Sequence, residues 1–334
     1  MNMAPLVTVV MPALNARSWI EEALNSVLAQ TYSKARLEVV VVDDGSTDGT
    51  DTVAAAVLAP SGIRHRVLRN QTPRGPSAAR NRGWRASTGD WIQFLDADDR
   101  LEPDKIERQA RLAATAEPGI AAIFSPWGHL IPSAGGGWTE GTTVSPKVGS
   151  DPLCDVLRGG NFIATGSLLF SRRWIERVDG YIESYRLIED IDLLMRLVIC
   201  GGVVQESPSE RPTFWYRRHP HSLSRESHSA FVRGCLRNLL AAERHWRDAR
   251  QLTMQRAEFL ADSYFGLARF FAEHDPVQFE SLLDVIYSLQ PKFVPSRPLA
   301  LKRASQIVGY RRAERLAIRY RRLKRFFRPL QATQ

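Results

Sequence analysis

Cysteines and long apolar runs are scarce in this sequence, and both absences limit what the protein can be. Its 334 residues include three widely spaced cysteines, Cys154, Cys200 and Cys235, and no C-x-x-C pair. So small and odd a set is typical of free thiols in a reducing compartment, not of a disulfide framework. No stretch approaches the ~20 apolar residues of a membrane-spanning helix, and the apolar run at residues 7–11 is too short for a signal peptide. We therefore expect a cytoplasmic protein.

Acidic residues are scarce in the last part of the chain. Residues 292–334 contain 13 Lys/Arg and a single acid, Glu314, which gives a local charge of +12. Because the formal net charge of the whole chain is +9, the rest carries about −3. A nucleic-acid-binding protein would explain the basic tail, but no DNA- or RNA-binding module is recognisable and the body is slightly acidic. We expect no nucleic-acid partner.

The hydrophobic pattern of the first hundred residues indicates alternating strands and helices. Uninterrupted β-branched runs at residues 6–11 and 37–42 fit strands that are buried on both faces. Helical patterns follow at residues 17–29 and 50–58, and residues 65–68 fit a third strand. Strands and helices that alternate at this spacing predict a parallel α/β sheet.

The apolar run at residues 91–95 is followed by Asp96, Asp98 and Asp99. Open α/β sheets bind their ligands beyond the carboxyl ends of the strands, where these acids are expected to lie. Two hard oxygen ligands with open positions beside them suit Mg²⁺ or Mn²⁺ that carries a substrate diphosphate. An acidic turn before the next helix is the alternative, and an isolated D-x-D does not decide between them.

Four ordered motifs resemble those of the inverting family 2 glycosyltransferases with a GT-A fold. They are Val7-Thr8-Val9-Val10-Met11-Pro12-Ala13-Leu14-Asn15, Val41-Val42-Asp43-Asp44-Gly45-Ser46-Thr47-Asp48, Ser77-Ala78-Ala79-Arg80-Asn81-Arg82-Gly83 and Phe94-Leu95-Asp96-Ala97-Asp98-Asp99. Leu14 stands where the family commonly has an aromatic residue. The resemblance implies an α/β fold of the GT-A (Rossmann-like) type, with a mostly parallel central sheet flanked by helices. An α-helical C-terminal extension is expected to follow it.

The resemblance also implies a donor site for a nucleotide-diphospho sugar. Its expected contacts are Pro12, Ala13, Asn15, Asp43, Asp44, Arg80, Asn81, Asp96 and Ala97. Of these, Asp44 is expected to accept the base N–H, and Arg80 and Asn81 to lie near the sugar or diphosphate. A solvated charge on a helix is the alternative for Arg80. The metal ligands implied are Asp96, Asp98 and His219, for Mn²⁺ or Mg²⁺.

A helix is predicted near residues 187–197, because Ile191, Leu194, Met195 and Val198 recur at helical spacing. Glu189 and Asp190 fall in its first turn, where acids are also routine because helix N-termini favour negative charge. The family resemblance implies that Asp190 is the general base of an inverting transfer, and that Glu189 binds or orients the acceptor.

A closing stretch at residues 213–224 also resembles the family. It brings His219 near the diphosphate or metal, although a histidine held by an ordinary hydrogen bond is equally compatible. Arg217 or Arg218 could neutralise phosphate charge.

The C-terminal part changes character, with two helices expected in residues 230–274 and a break at Pro291, Pro295 and Pro298. In the tail, one helical face is expected to be apolar and another basic. The apolar positions are Ala313, Leu316, Tyr320, Leu323, Phe327 and Leu330; the basic ones are Arg312, Arg315, Arg319 and Arg322. Such a helix fits a peripheral anchor on anionic lipid. An ordinary helix packed on the body is the equal alternative.

The sequence therefore predicts a GT-A domain at residues 1–225 and a helical region at residues 226–334. Within the first, residues 1–100 form the nucleotide-sugar half and residues 101–225 the acceptor half. The expected reaction is inverting transfer from a nucleotide-diphospho sugar, with UDP the expected nucleotide, to a hydroxyl of a glycan or lipid-linked acceptor in cell-surface polysaccharide synthesis. The alternatives are a catalytically silent sugar-nucleotide-binding protein on the same scaffold, or a membrane-associated interaction protein. A sugar-nucleotide pyrophosphorylase is disfavoured because its Gly-rich basic loop is absent after the first strand.

Overall fold

The computed structural model describes residues 4–133, 135–219, 227–296 and 298–326, with the side chains of residues 322–326 left out. The chain forms two compact units, Met1–Gly234 and Cys235–Gln334, here called the N-terminal unit and the helical unit. Among the described residues, no helix has both the length and the apolar character that crossing a membrane requires.

The strands and helices alternate in the first unit as the pattern predicts. The strands are β1 (Val7–Ala13), β2 (Leu37–Asp43), β3 (Arg64–Arg69), β4 (Trp91–Phe94), β5 (Arg100–Leu101), β6 (Ile120–Phe124), β7 (Trp127–Pro132), β8 (Trp138–Val144), β9 (Leu168–Ser171), β10 (Val203–Glu206) and β11 (Phe214–Arg217). Its helices are α1 (Ile20–Leu28), α2 (Thr50–Leu58), α3 (Pro76–Ala86), α4 (Lys105–Ala114), α5 (Pro152–Leu157), α6 (Arg172–Arg177) and α7 (Glu189–Ile199). The helix α8 (His228–Asp248) contains the boundary between the units.

A seven-stranded sheet in the order β10-β6-β9-β4-β1-β2-β3 forms the centre of the N-terminal unit. Its neighbours pair in parallel except β9, which is antiparallel to both β4 and β6. Every residue of β1 and β2 is buried, as expected for central strands of a parallel sheet covered on both faces. The expected mostly parallel sheet flanked by helices is confirmed.

A second sheet has the order β5-β11-β7-β8. In it β11 pairs in parallel with β7, and β7 and β8 form an antiparallel hairpin. The closing stretch that resembles the family contains β11, and the glycines at residues 135–137 lie between β7 and β8, at the tip of the hairpin. The apolar run at residues 165–170 is typical of a strand, but the strand begins at Leu168 because Thr165–Ser167 forms a short 3-10 turn.

The helical unit consists of the end of α8 and four further helices. These are α9 (Met254–His274), α10 (Pro276–Leu289), α11 (Leu299–Val308) and α12 (Tyr310–Phe326). Tyr264, Phe271, Leu283 and Ile286 are fully buried in its core. Two helices expected within residues 230–274 are present as α8 and α9.

The tail helix differs from its predicted pattern. Ala313 is buried with Tyr310 and Ile318, whereas Leu316 and Tyr320 are exposed together with the arginines. The packed side of α12 is therefore not the predicted apolar side. The side chains of Arg322 and Leu323, and the whole of Phe327 and Leu330, lie outside the described residues, as do residues 220–224 of the closing stretch.

Candidate active site

The predicted site residues converge on one edge of the central sheet. Because β1 pairs in parallel with both β2 and β4, the carboxyl ends of these three strands are neighbours. The loops that follow them start at residues 14, 44 and 95, and three of the four motifs run into these loops. This is the edge at which open α/β sheets bind ligands.

The turn after β1 is tied to the loop after β2. Asn15 adopts a left-handed backbone with φ 49°, a conformation that asparagine tolerates better than most residues. Its N–H donates to Ser46 Oγ at 2.8 Å, and its Oδ1 accepts from the Thr47 N–H at 2.9 Å. Pro12 and Ala13 are buried and pair with Val42 and Asp43 at the end of β2. The two loops thus form a single preformed surface.

The adjacent acids Asp43 and Asp44 are both buried and both serve loop structure. Asp43 Oδ1 accepts from the Ser46 N–H at 3.1 Å, and its Oδ2 lies 3.3 Å from the guanidinium of Arg69. Asp44 accepts from Asn70 Nδ2 at 2.6 Å and from the N–H groups of Arg74 and Gly75 at 3.0 and 2.7 Å. A base N–H at Asp44 would have to share an oxygen with these donors.

Arg80 joins two acids that lie far apart in the sequence. It is buried on α3, donates from Nη2 to Asp96 Oδ1 and from Nη1 to Glu189 Oε1, each at 2.8 Å, and packs over the ring of Tyr181 at 5.3 Å. Burial alone would lower the pKa of Arg80, but the charge of Asp96 and the neighbouring Tyr181 and Glu189 raise it well above its usual value. Arg80 is therefore a permanent cation inside the site, and not a solvated helix charge.

Asn81, the next residue of the same motif, is fully used within the fold. Its Nδ2 donates to the carbonyl of Tyr181 at 2.8 Å and to Glu183 at 3.2 Å. Its Oδ1 accepts from the Tyr181 N–H at 2.9 Å and from the indole N–H of Trp84 at 3.0 Å. Asn81 thus holds the segment around Tyr181 against α3.

The D-x-D loop keeps two carboxylates accessible and one buried. The side chains of Asp96 and Asp98 are 38% and 29% exposed, whereas Ala97 and Asp99 are buried. Burial, followed by the charges of Asp98 and Asp96, raises the pKa of Asp99 well above its usual range. The loop therefore presents two accessible carboxylates, each in contact with a basic side chain, Arg80 or His219.

Strand β11 supports this loop from the side. Arg217 is buried and donates from Nε to the carbonyl of Asp98 at 2.6 Å, while its backbone N–H donates to Asp99 Oδ1 at 2.8 Å. His219 lies 2.8 Å from Asp98 Oδ2 through Nε2, and its ring stacks on Trp19 at 5.5 Å. His219 therefore contacts Asp98, one of the two D-x-D acids. Arg217 instead points inward to the loop.

Glu189 and Asp190 begin α7, immediately after a strained residue. Ile188 has φ 62°, which is a genuine outlier for a β-branched side chain and typical of functional sites. Burial, and then the charge of Glu189, raises the pKa of Asp190 to about 7. Asp190 Oδ1 accepts from the Ile191 N–H at 2.8 Å, and the Thr165 hydroxyl lies 3.5 Å from Oδ2.

Sequence reasoning did not assign roles to Tyr181, Thr165 or Trp19. Tyr181 packs beneath Arg80, Thr165 contacts Asp190, and Trp19 stacks on His219. The strongest available signal was Gly180-Tyr181, which precedes the acidic pair. Thr165 and Trp19 carry no spacing that would distinguish them from core residues.

Residues 8–130 match the model of Glycosyl transferase family 2, the family that the motifs resemble. Among curated relatives, the succinoglycan biosynthesis protein ExoO of Rhizobium meliloti is 33% identical over 213 residues, which cover 61% of this chain and 59% of that protein. An uncharacterized glycosyltransferase of Nostoc sp. is 34% identical over 179 residues, 52% of each chain. The matched segments thus span little more than half the length of these relatives.

Solved structures confirm the GT-A fold. Residues 1–349 of S. aureus TarS in complex with UDP-GlcNAc superpose with a TM-score of 0.65, at 20% identity, over 94% of this chain and 91% of that chain. The mannosyltransferase PcManGT of Pyrobaculum calidifontis, in complex with GDP-Man and Mn²⁺, gives a TM-score of 0.52, at 19% identity, over 93% of this chain and 86% of that chain. At these identities the likeness establishes the fold.

Proposed function

We propose that this protein is an inverting glycosyltransferase that moves a sugar from a nucleotide-diphospho sugar to an acceptor hydroxyl. The observation that carries the proposal is the bridge made by Arg80 between Asp96 of the D-x-D loop and Glu189, the neighbour of Asp190. It brings a carboxylate suited to a cation that carries the donor phosphates into one site with Glu189, and so with the adjacent carboxylate of Asp190, which is suited to proton transfer. The names of the relatives and structural neighbours support the same class of reaction.

The donor is bound at the ends of β1, β2 and β4, with UDP the favoured nucleotide because TarS is found with UDP-GlcNAc. The surface formed by Pro12, Ala13 and Asn15 takes the base and ribose. Asp43 and Asp44 fix its walls, and Asp44 is the residue assigned to the base N–H. Arg80 offers the sugar or diphosphate a positive charge that does not titrate, whereas Asn81 acts by holding the segment around Tyr181.

The D-x-D loop fits a divalent cation, Mn²⁺ or Mg²⁺. Its accessible carboxylates, Asp96 and Asp98, lie two residues apart in the loop after β4. Burial first, and then the charges of these two acids, raise the pKa of Asp99, and a cation would offset the charges. No cluster of three or more histidine, cysteine or acidic ligands occurs in the described parts of the chain. Asp96 and Asp98 would therefore hold the ion together with substrate oxygens, as is usual for ions that carry phosphate. His219 would bind it or orient Asp98, and the bound ion would act as a Lewis acid for the departing diphosphate.

Asp190 is the proposed general base. Inversion requires one carboxylate to accept the proton of the acceptor hydroxyl as its oxygen attacks the anomeric carbon, and no covalent enzyme intermediate forms. A pKa of about 7 is well matched to this task, because near neutral pH about half of the group is ionised and the ionised form is basic enough to accept a proton. Thr165 and the Ile191 N–H orient the carboxylate, and Glu189 orients the acceptor.

We assign donor binding to residues 1–100, acceptor binding to residues 101–225, and the remaining residues 226–334 to the helical region. The acceptor is a glycan or lipid-linked saccharide of a cell-surface polysaccharide, since ExoO takes its name from succinoglycan biosynthesis. Such acceptors place the enzyme in the cytoplasm, at the inner face of the membrane.

Calorimetric titration of UDP, GDP, CDP and dTDP, with and without Mn²⁺, tests the donor assignment. We expect tight binding of one nucleotide that requires the ion and is lost in Asp98→Ala, because that variant removes an accessible carboxylate. Asp248→Ala, which removes an exposed acid of the helical unit, is the matched control. Equal affinity in Asp98→Ala would remove the metal assignment. Binding without turnover of the corresponding sugar nucleotide would favour a silent scaffold.

A further inference from the structure

In the helical unit, α11 and α12 expose large apolar side chains to solvent, which is unfavourable for helices that only face water. Leu299 and Ile307 of α11 are 60% and 83% exposed, and Leu316 and Tyr320 of α12 are 57% and 64% exposed. These values belong to helices whose other sides are packed, since Leu301, Tyr310 and Ala313 are buried. The exposed residues are therefore the outward positions of folded helices.

Basic residues surround these apolar positions. Lys302 and Arg303 are exposed on α11, and Arg312, Arg315 and Arg319 are exposed on α12. On α12 the spacing of three and four residues places the three arginines on one side, with Leu316 and Tyr320 beside them. We give the name basic-apolar face to a set of nine exposed residues on these two helices. They are Leu299, Lys302, Arg303, Ile307, Arg312, Arg315, Leu316, Arg319 and Tyr320.

The fold removes negative charge from this face. Glu314 is the one acid in residues 292–334. It is fully buried, and its Oε1 accepts from Arg321 at 2.7 Å. Arg315 contacts Glu280 of α10 at 2.5 Å, but no acid belongs to the exposed sides of α11 and α12 themselves. Burial of Glu314 thus leaves the exposed sides of α11 and α12 without an acid of their own.

We propose that the basic-apolar face is a docking surface for an anionic lipid bilayer. Arginine and lysine side chains would contact lipid phosphates, and the four exposed apolar side chains would enter the boundary between headgroups and acyl chains. The combination of exposed positive charges with exposed apolar side chains favours a bilayer over other partners. A nucleic acid would use the charges without needing the isolated aliphatic side chains, and a second copy of this chain would bring the same positive charge against itself.

This docking surface rests on the proposed function in one respect: binding to a bilayer is useful to the enzyme if its acceptor is lipid-linked. Because Tyr310, Ala313 and Ile318 of α12 are already packed, few apolar side chains remain to enter the bilayer, and the attraction is mainly electrostatic. We therefore expect binding to require anionic lipid and to weaken with salt, since exposed charges are screened.

The first test is sedimentation of the full chain with vesicles of phosphatidylcholine, alone or with about one third phosphatidylglycerol. The triple variant Arg303→Gln, Arg312→Gln, Arg319→Gln is expected to lose about 100-fold in affinity for the anionic vesicles, at about fivefold for each charge. The matched control is Arg111→Gln, Arg158→Gln, Arg173→Gln, which removes three exposed arginines from the N-terminal unit.

The second test removes apolar contacts at constant charge. Ile307→Ser with Leu316→Ser is expected to weaken binding about tenfold, because less apolar surface enters the bilayer. Met254→Ser with Val277→Ser is the control, since these residues are 81% and 79% exposed on α9 and α10 of the same unit.

Equal losses in the test and control triples, equal binding to neutral vesicles, or no binding at all would overturn the docking surface. So would a change of oligomeric state in Ile307→Ser with Leu316→Ser without an effect on vesicle binding. Nucleotide titration of the same variants keeps the two proposals apart. The lipid surface can fail while the donor binds normally, and the donor site can fail while vesicles still bind.

Discussion

Each unit buries a glutamate against an arginine, and the two pairs have opposite consequences. In the N-terminal unit, Glu189 is held by Arg80, which also reaches the accessible Asp96 at the sheet edge. In the helical unit, Glu314 is held by Arg321 inside the core. The first pair gathers acids around an open site, whereas the second withdraws an acid from the surface.

The distribution of charge in the whole chain follows the same division. The N-terminal unit has 26 Lys/Arg and 27 Asp/Glu, so its site is built from a nearly neutral set of residues. The helical unit has 19 Lys/Arg and nine Asp/Glu. The formal net charge of +9 therefore arises from the helical unit and does not indicate the chemistry of the site.

The largest effect is expected from Asp190→Asn, which removes the base but keeps the shape of the site. Transfer should fall by about 10²–10⁴-fold, the usual contribution of a general base, while nucleotide affinity stays unchanged. The measurement is release of the nucleoside diphosphate from the sugar nucleotide that titration identifies, in the presence of an acceptor.

Asp179→Asn is the control for that variant, because Asp179 is exposed and asparagine tolerates its left-handed backbone. A near-normal rate in Asp190→Asn would discard Asp190 as the base. A matching loss in the control would show that the assay reports on stability.

The fold was predictable where order is local. The strands β1, β2 and β4 are short apolar runs followed by turns, and each can be recognised without its partners. Strands β7, β8 and β10 were not predicted. Their own composition does not mark them as strands, and they can be recognised only from their pairing with neighbouring strands. The β7–β8 hairpin lies in a stretch rich in glycine and serine, and β10 has only four residues.

The site was predictable as a set of residues, but not as a set of contacts. The motifs predicted Arg80, Asp96, Glu189 and Asp190, and the structure brings these residues together. The contact between Arg80 and Glu189 joins positions 109 residues apart, and no local pattern records such a distance. The inward orientation of the Arg217 side chain could not be predicted either, because it depends on how β11 lies beside the D-x-D loop.

An intermediate effect is expected from Glu314→Gln, which weakens the second pair. Because Glu314 is fully buried and accepts from Arg321, we expect the free energy of unfolding of the helical unit to fall by about 1–3 kcal/mol. Thermal denaturation followed by far-UV circular dichroism measures the loss, with the exposed Glu258→Gln as control. Nucleotide affinity should not change, and a fall in it would contradict the separation of roles between the units.

The smallest effect is expected from Glu189→Gln, and it concerns the pH at which the enzyme works. In the unaltered protein the rate should rise as pH increases through about 7, because Asp190 must lose its proton to act as a base. Burial is the main cause of the raised pKa and the charge of Glu189 the next. Removing that charge should therefore move the acid limb of the kcat profile to lower pH, by about one unit at most. Glu210→Gln, an exposed acid, should leave the limb in place. If the limb stays near 7 in Glu189→Gln, the charge of Glu189 does not tune the base.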